Sequence, residues 1–349
     1  MLSQSETNNW YFGDEAGLNF ANARVSLLTN GKMNTIAGCS TISDTEGNLL
    51  FYTNGQTVWN KNHVKMDNGD GLAGDINNTQ TSIIIPKPND ETKYYIFTTR
   101  GTPSSSPLVT PGLFYSEVEI SSSYPLGKVT TKNHRLTASS TGRITAIHDA
   151  QNDIIKVIAF GSQSESGAPN NTFYVFDVTQ NGVVVPAHTT TISENISSEG
   201  AMKISPNGKF IALVDYENRH FYLYSFNISD SSISLTKHFH TDLLFTPLNP
   251  YGVAFSQDSE IVFFTSKNIP ASYSILFRYV INSNDMFNAK VGIASSSDYD
   301  FGSLQLARNG KIYMANYIMN DPLMSIDHIS VINDPENPDN SDFQALNIN

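Results

Sequence analysis

Three aspartates in one glycine-rich segment are the first candidates for metal ligands. Asp67, Asp70 and Asp75 lie in residues 67–75, which read Asp-Asn-Gly-Asp-Gly-Leu-Ala-Gly-Asp. Calcium is bound by several carboxylate and carbonyl oxygens that converge from a bent loop. The acidic spacing does not follow the Asp-x-Asp/Asn-x-Asp/Asn-Gly pattern of helix–loop–helix calcium sites, and no trailing glutamate follows. The segment is therefore predicted to be a solvated turn, with calcium binding at these aspartates as the alternative.

Two histidines form the second candidate for a metal site. His238 and His240 are separated by one residue, and on a strand this spacing places both side chains on one face, a geometry that zinc can use. No third ligand can be identified from the sequence. A solvated outer strand is the favoured interpretation, and no cofactor other than calcium is expected.

Catalytic motifs are absent from the sequence. There is no Gly-x-Ser-x-Gly nucleophile elbow and no glycine-rich phosphate loop. The single cysteine, Cys39, excludes a disulfide or a cysteine-rich zinc site within the chain. A carboxylate pair for glycoside cleavage cannot be recognised from spacing alone. No catalytic residue is assigned, and a protein without enzymatic activity is favoured.

The elements that would position any site are six similar apolar segments. Each is as long as a strand, rich in aromatic and β-branched residues and apolar on both faces, which is typical of a strand between two layers. They recur at intervals of roughly 50 residues, as in repeat proteins. The segments are 47–53, 92–98, 155–161, 208–214, 259–265 and 310–316.

Further strands flank each apolar segment. In the fourth repeat, residues 201–205 precede the turn Pro206-Asn-Gly208, and residues 221–226 form a third strand. Three or four antiparallel strands per repeat are typical of β-propeller blades. A string of β-sandwich domains is the alternative, but the repeat is too short for one sandwich and no linker separates the repeats.

The sequence therefore predicts an all-β fold, with residues 1–349 forming a single β-propeller domain of six blades. Closure of the ring by pairing of N- and C-terminal strands is expected, with strands in residues 9–30 completing the last blade. Seven blades are the alternative if the terminal segments form a blade of their own.

Five residues near the starts of the inner strands are candidate ligand contacts, because propellers bind ligands where inner strands and loops converge. Arginine and tyrosine are also enriched in binding hot spots. The alternative is that these side chains stabilise the channel lining. The five are Gln80, Arg143, Glu199, Tyr251 and Asp300.

Composition limits the partners. There are 21 Lys and Arg against 33 Asp and Glu, a net charge of −12. Such a surface repels nucleic acid and anionic membranes. No apolar run reaches the length of a membrane span, so membrane insertion is not expected, and the isolated domain is expected to be monomeric.

Several motifs resemble one family. Asn-Trp-Tyr-Phe-Gly at 9–13, Gly-Asn-Leu-Leu-Phe-Tyr-Thr at 47–53, Val-Trp-Asn-Lys-Asn-His at 58–63 and Gly-Lys-Ile-Tyr at 310–313 resemble the N-terminal β-propeller of surface proteins from gliding and related bacteria. These proteins are exported by the type IX secretion system. The resemblance spans nearly the whole chain. It provides no catalytic or ligand residues to carry over, and His148 stands one position earlier than the histidine of the family.

The resemblance implies a secreted or cell-surface protein. In the family a signal peptide precedes the propeller and further modules follow it. Residues 1–9 are polar and have no signal-peptide core, so the alternatives are a cytoplasmic protein or one whose leader has been removed. We expect a non-catalytic adhesion module that binds a glycan or a surface protein through one face of the propeller. The alternative is a carbohydrate-active hydrolase or lyase with its site at one mouth of the central channel.

Overall fold

The computed structural model describes residues 4–22, 24–101, 110–165, 168–243, 246–283, 290–318 and 328–347. Apart from a 3-10 helix at Gln4–Thr7, the secondary structure of these residues is all β-strand. None of their helices is long and apolar enough to cross a membrane. Contacts divide the chain into two compact units, residues 1–198 and 199–349.

The first unit contains a small N-terminal sheet and three larger sheet modules. The N-terminal sheet is antiparallel, with β1 at Asn9–Phe12, β2 at Ala16–Asn19 and β3 at Ser26–Leu28. Module 1 comprises β4 (Ser40–Ser43), β5 (Leu49–Thr53), β6 (Thr57–Asn60) and β7 (Lys65–Asp70). Module 2 comprises β8 (Ser82–Lys87), β9 (Asp90–Arg100), β10 (Gly112–Ser121) and β11 (Tyr124–Arg135). Module 3 comprises β12 (Ile144–Asp149), β13 (Ile154–Gly161), β14 (Thr172–Thr179), β15 (Gly182–Val183) and β16 (His188–Thr191).

The second unit contains three four-stranded antiparallel modules. Module 4 comprises β17 (Met202–Ile204), β18 (Phe210–Asp215), β19 (His220–Asn227) and β20 (Ser232–His240). Module 5 comprises β21 (Asn249–Phe255), β22 (Ile261–Asn268), β23 (Tyr273–Val280) and β24 (Lys290–Ser296). Module 6 comprises β25 (Tyr299–Leu306), β26 (Ile312–Ile318), β27 (His328–Ile332) and β28 (Phe343–Asn347).

The six apolar segments predicted from the sequence are the second strands of the six modules, β5, β9, β13, β18, β22 and β26. Their apolar character on both faces follows from packing between modules. On β22, Val262 and Phe264 belong to the core shared with module 4, whereas Ile261 and Phe263 belong to the core shared with module 6. Because side chains alternate along a strand, a second strand that packs against modules on both sides carries apolar side chains on both of its faces.

The predicted completion of the last blade by strands in residues 9–30 stays a prediction. Among the described residues, β1, β2 and β3 pair with one another, and module 6 has four strands of its own. The sequence analysis missed β28 because its segment, Phe-Gln-Ala-Leu-Asn, is short and follows an acidic loop. The six modules agree with the six blades predicted from the sequence.

Residues 67–70 differ from the prediction as well. They were expected in a solvated turn but belong to β7, which pairs with β6. The strand is irregular, since its pairing shifts register and Asn68 has a φ of 55°. Asp67 also lies opposite Lys128 in a parallel contact that joins modules 1 and 2 into one sheet. The glycine and asparagine residues at 67–70 therefore belong to a distorted strand and not to a turn.

Candidate functional site

Three of the five predicted ligand residues lie in the second unit, at one edge of modules 4 to 6. Glu199 precedes β17, Tyr251 is on β21 and Asp300 is on β25. In an antiparallel pair, the start of the first strand lies opposite the end of the second strand. The ends of β18 and β22 therefore bring Tyr216 and Lys267 to the same edge. We refer to these five residues as the Tyr216 cluster.

Two tyrosine rings form the aromatic part of the Tyr216 cluster. The ring centroids of Tyr216 and Tyr251 are 6.5 Å apart and the planes meet at 85°, an edge-to-face arrangement that aromatic pairs favour. Both side chains are half-buried, so part of each residue remains accessible. Asn249 donates a hydrogen bond from Nδ2 to the carbonyl oxygen of Tyr216, 2.8 Å away, and thereby fixes the turn that carries it.

The charged part of the cluster consists of one ion pair and one further carboxylate. Lys267 Nζ contacts the Asp300 carboxylate, and Ser274 Oγ donates to Asp300 Oδ1 at 3.3 Å. The side chains of Lys267 and Asp300 are 35% and 19% exposed, which leaves both within reach of a ligand. Glu199 is exposed. With two acids and one lysine, the charged groups at this edge sum to −1.

The pKa of Tyr216 is raised to about 12, because burial disfavours the phenolate and the charges of Glu199 and Asp300 and the neighbouring Tyr251 add to the effect. The phenol is therefore neutral at physiological pH and keeps a proton to donate in a hydrogen bond. The same shift shows that both carboxylates act on one aromatic group. The cluster thus combines neutral aromatic donors with charged acceptors.

The other two predicted residues lie in the first unit and bind the protein's own backbone. Gln80 donates from Nε2 to the carbonyl oxygen of Ile144 at 2.9 Å, and its backbone N–H donates to Gly142 at 2.9 Å. Arg143 is fully buried and donates from Nη1 to the carbonyl oxygen of Ser197 at 2.5 Å. These contacts favour the structural interpretation of Gln80 and Arg143, since a fully buried guanidinium offers no surface to a ligand.

Each of the three predicted aspartate ligands contacts a different partner in the structure. Asp67 lies 3.3 Å from Lys128 Nζ and Asp70 lies 3.0 Å from Lys65 Nζ. Asp75 accepts a hydrogen bond from the backbone N–H of Asn77. Within the described ranges, no group of three or more His, Cys, Asp or Glu side chains is arranged to hold a metal ion. Calcium binding at these aspartates stays a prediction.

The histidine pair has a third histidine beside it. His220 on β19 lies opposite His240 on β20, with ring centroids 3.9 Å apart, and its ring lies 6.4 Å from that of His238. Burial lowers the pKa of His240, and the nearby His220 lowers it further. The pairing of two outer strands brings these side chains together, and no sequence spacing could have shown it.

Sequence analysis missed two members of the Tyr216 cluster, Tyr216 and Lys267. Both stand one or two residues beyond the apolar core of a second strand, in Val214-Asp-Tyr216 and Thr265-Ser-Lys267. The signal that could have found them is the antiparallel pairing rule. It places the polar residues after each second strand beside those at the start of each first strand.

No protein-family model matches the chain, and no curated protein matches it. Solved structures are similar to it in fold. The β-propeller domain of Cps50 (Swd1) from Myceliophteria thermophila is 10% identical over 91% of this chain and 91% of its own, with a TM-score of 0.54. A protein from Lactobacillus plantarum is 12% identical over 90% of this chain and 86% of its own, with a TM-score of 0.52. A Bacteroides uniformis protein proposed to be a 6-phosphogluconolactonase is 12% identical over 85% of this chain and 77% of its own, with a TM-score of 0.50.

The fold is a β-propeller. Repeated antiparallel sheet modules and the similarity to the Cps50 propeller domain both lead to this conclusion. At these levels of identity the similarity extends to the fold alone, because propellers carry many unrelated activities. The predicted all-β propeller fold is therefore confirmed.

Proposed function

We propose that this propeller is a non-catalytic binding module that recognises a glycan through the Tyr216 cluster. The observation that carries the proposal is the pair of half-buried tyrosines, Tyr216 and Tyr251, flanked by two carboxylates. Tyrosine supplies rigid contact area together with a hydroxyl group and is frequent in binding hot spots. Carboxylates accept hydrogen bonds from sugar hydroxyl groups. This combination suits a ligand with apolar C–H faces and hydroxyl edges.

A glycan array with the purified protein tests the proposal. Wild-type protein is expected to bind a defined set of glycans, and Tyr251→Ala is expected to bind them roughly thirtyfold or more weakly, as for a hot-spot tyrosine. Tyr124→Ala is the matched control, because Tyr124 is also half-buried but lies in module 2 beside Lys128. Background binding to every glycan would contradict the proposal, as would equal binding by Tyr251→Ala and wild type. Binding of a surface protein in place of any glycan would assign the module to protein recognition.

A carbohydrate-active enzyme is the second candidate function. The observation that favours it is that Glu199 and Asp300 both act on Tyr216, since glycosidases use two carboxyl groups beside the bond that they cleave. Turnover on a panel of polysaccharides, abolished by Glu199→Gln or Asp300→Asn, would establish this function. If the protein is a binding module, wild-type protein should release no product, and both variants should bind the glycan more weakly.

We also propose that the protein acts outside the cell or at its surface. The support is the sequence resemblance to exported propellers described above. Immunodetection of the native protein on intact cells, with and without surface protease, tests the location. A protein that is protected from protease until the cells are lysed would contradict it.

A further inference from the structure

A cross-strand pair of histidines lies on the third and fourth strands of module 4. His220 on β19 is opposite His240 on β20, and their ring centroids are 3.9 Å apart. Beside them, the backbone N–H of Thr241 donates to the carbonyl oxygen of Arg219 at 2.9 Å. Because hydrogen-bonded and non-hydrogen-bonded pairs alternate in an antiparallel ladder, His220 and His240 form a non-hydrogen-bonded pair, in which side chains lie closest. The sheet therefore holds two imidazoles together before any ligand binds.

The tautomer of His220 suits metal coordination. Its Nδ1 lies 2.7 Å from the carbonyl oxygen of Asn218 and carries the ring proton, because a carbonyl oxygen only accepts hydrogen bonds. In the neutral ring, Nε2 then has the lone pair that binds a metal. Histidines that bind metals almost always donate their other ring N–H to a carboxylate, a backbone carbonyl or water, which fixes the orientation of the ring. His220 makes such a hydrogen bond in the protein alone.

The charges and the exposure of the pair permit a cation. Arg219 directly precedes His220, but its Nε lies 3.6 Å from the Asp242 carboxylate, which offsets the charge of the guanidinium group. His240 is exposed and His220 is half-buried, so a hydrated metal ion can reach both rings. The net charge of −12 attracts cations to the protein.

We propose that His220 and His240 form a binding site for Cu²⁺ on module 4. Imidazole is a ligand for zinc, copper, iron and nickel, and Cu²⁺ binds most tightly among the divalent first-row metals. Zinc sites in proteins usually have three or four protein ligands, which this pair does not supply. A tetragonal Cu²⁺ ion can take two imidazoles and fill its other positions with water. The inference does not depend on the proposed glycan site, since neither histidine belongs to the Tyr216 cluster.

A third histidine on the same strand provides the matched control. His238 is exposed, as His240 is, but it lies opposite Tyr222 and stacks on that ring with centroids 6.0 Å apart. Its own ring is 6.4 Å from that of His220, against 3.9 Å for His240. His238 is therefore assigned no part in binding the metal.

The test is a titration of the purified protein with Cu²⁺, followed by calorimetry and by electron paramagnetic resonance. Wild-type protein is expected to bind one Cu²⁺ tightly, with a spectrum that shows two coordinated nitrogen atoms. His240→Ala is expected to bind Cu²⁺ roughly a hundredfold more weakly, because the sheet presents the second imidazole at a high effective concentration. His238→Ala should bind Cu²⁺ like wild type.

His220→Ala repeats the test on the other strand and should weaken binding to the same extent as His240→Ala. Equal affinity of wild type and His240→Ala would overturn the proposal, as would a wild-type spectrum with only one coordinated nitrogen atom. Equal weakening in His238→Ala and His240→Ala would also overturn it, because the ligands would then not be the cross-strand pair. If the half-buried His220 cannot be replaced without unfolding, the exposed His240→Ala decides by itself.

Discussion

At the scale of single residues, the clearest titratable group in the first unit is His63. Asn30 Nδ2 donates to His63 Nε2 at 2.8 Å, so Nε2 carries no proton and Nδ1–H donates to the Tyr52 hydroxyl oxygen at 3.2 Å. This hydroxyl also accepts the backbone N–H of Lys32. The network requires a neutral imidazole. It connects the chain after β3 to Tyr52, which stacks on Tyr11 with ring centroids 4.6 Å apart.

Acid should therefore destabilise the first unit through His63. Burial lowers its pKa below the ordinary value of 6.5, and the charge of Lys32 lowers it further. Because the unfolded chain then binds the proton more readily, the stabilisation is complete above 6.5 and is lost as the pH falls through the folded pKa. Urea unfolding across this range should show the fall in the free energy of unfolding in wild type. His188→Gln, which replaces an exposed histidine, should show the same fall. In His63→Gln the fall should be smaller. The same pH dependence in all three proteins would contradict the role of His63.

The buried hydroxyl group of Thr265 is a second residue whose contribution can be measured. It accepts the backbone N–H of Gly252 at 2.8 Å and donates to the carbonyl oxygen of Gly302 at 3.0 Å. Thr265→Val leaves both backbone groups unpaired, so we expect a loss of about 1–3 kcal/mol in the free energy of unfolding. Thr265→Ser keeps the hydroxyl group and should lose less, as measured by chemical denaturation. Equal stability of wild type and Thr265→Val would show that other groups satisfy these two backbone atoms.

At the scale of elements, first strands of neighbouring modules approach each other so closely that side chains are excluded. A Cβ atom at Gly252 on β21 would lie 2.4 Å from the carbonyl oxygen of Gly302 on β25. Both glycines lie where the pairing of their strand shifts register, Gly252 directly after Tyr251 and Gly302 two residues after Asp300. The close approach therefore helps to bring members of the Tyr216 cluster to one edge.

Gly252→Ala should accordingly destabilise the second unit. The new methyl group would contact backbone, which cannot move aside as a flexible side chain can, and overpacking of this kind costs about 1–3 kcal/mol. Gly292→Ala on β24 is the matched control, because the nearest atom to its Cβ would be 3.4 Å away. We expect a lower urea midpoint for Gly252→Ala and a midpoint close to wild type for Gly292→Ala. Similar midpoints for both variants would mean that β21 and β25 can separate without cost.

At the scale of the whole molecule, net charge limits the partners. With a net charge of −12, the protein should not bind duplex DNA or anionic vesicles, because long-range repulsion opposes association with a polyanion. Fluorescence anisotropy with labelled DNA and cosedimentation with vesicles, each at low and physiological salt, check this expectation. Binding to DNA or vesicles that weakens as salt increases would contradict this expectation and would show that the protein has a local basic surface despite its net negative charge.

The sequence by itself determined the all-β fold and the six second strands, because a strand packed between two modules carries apolar side chains on both faces. It also determined which residues start the first strands, and three of these, Glu199, Tyr251 and Asp300, do lie at one edge. Only the tertiary structure decided that Tyr216 and Lys267 join them, that Arg143 is fully buried, and that β1–β3 form their own sheet. The physical reason is that periodicity is a local property of the chain, whereas these contacts join residues far apart in sequence. Strand pairing and packing between modules fix such contacts, and neither leaves a local signal.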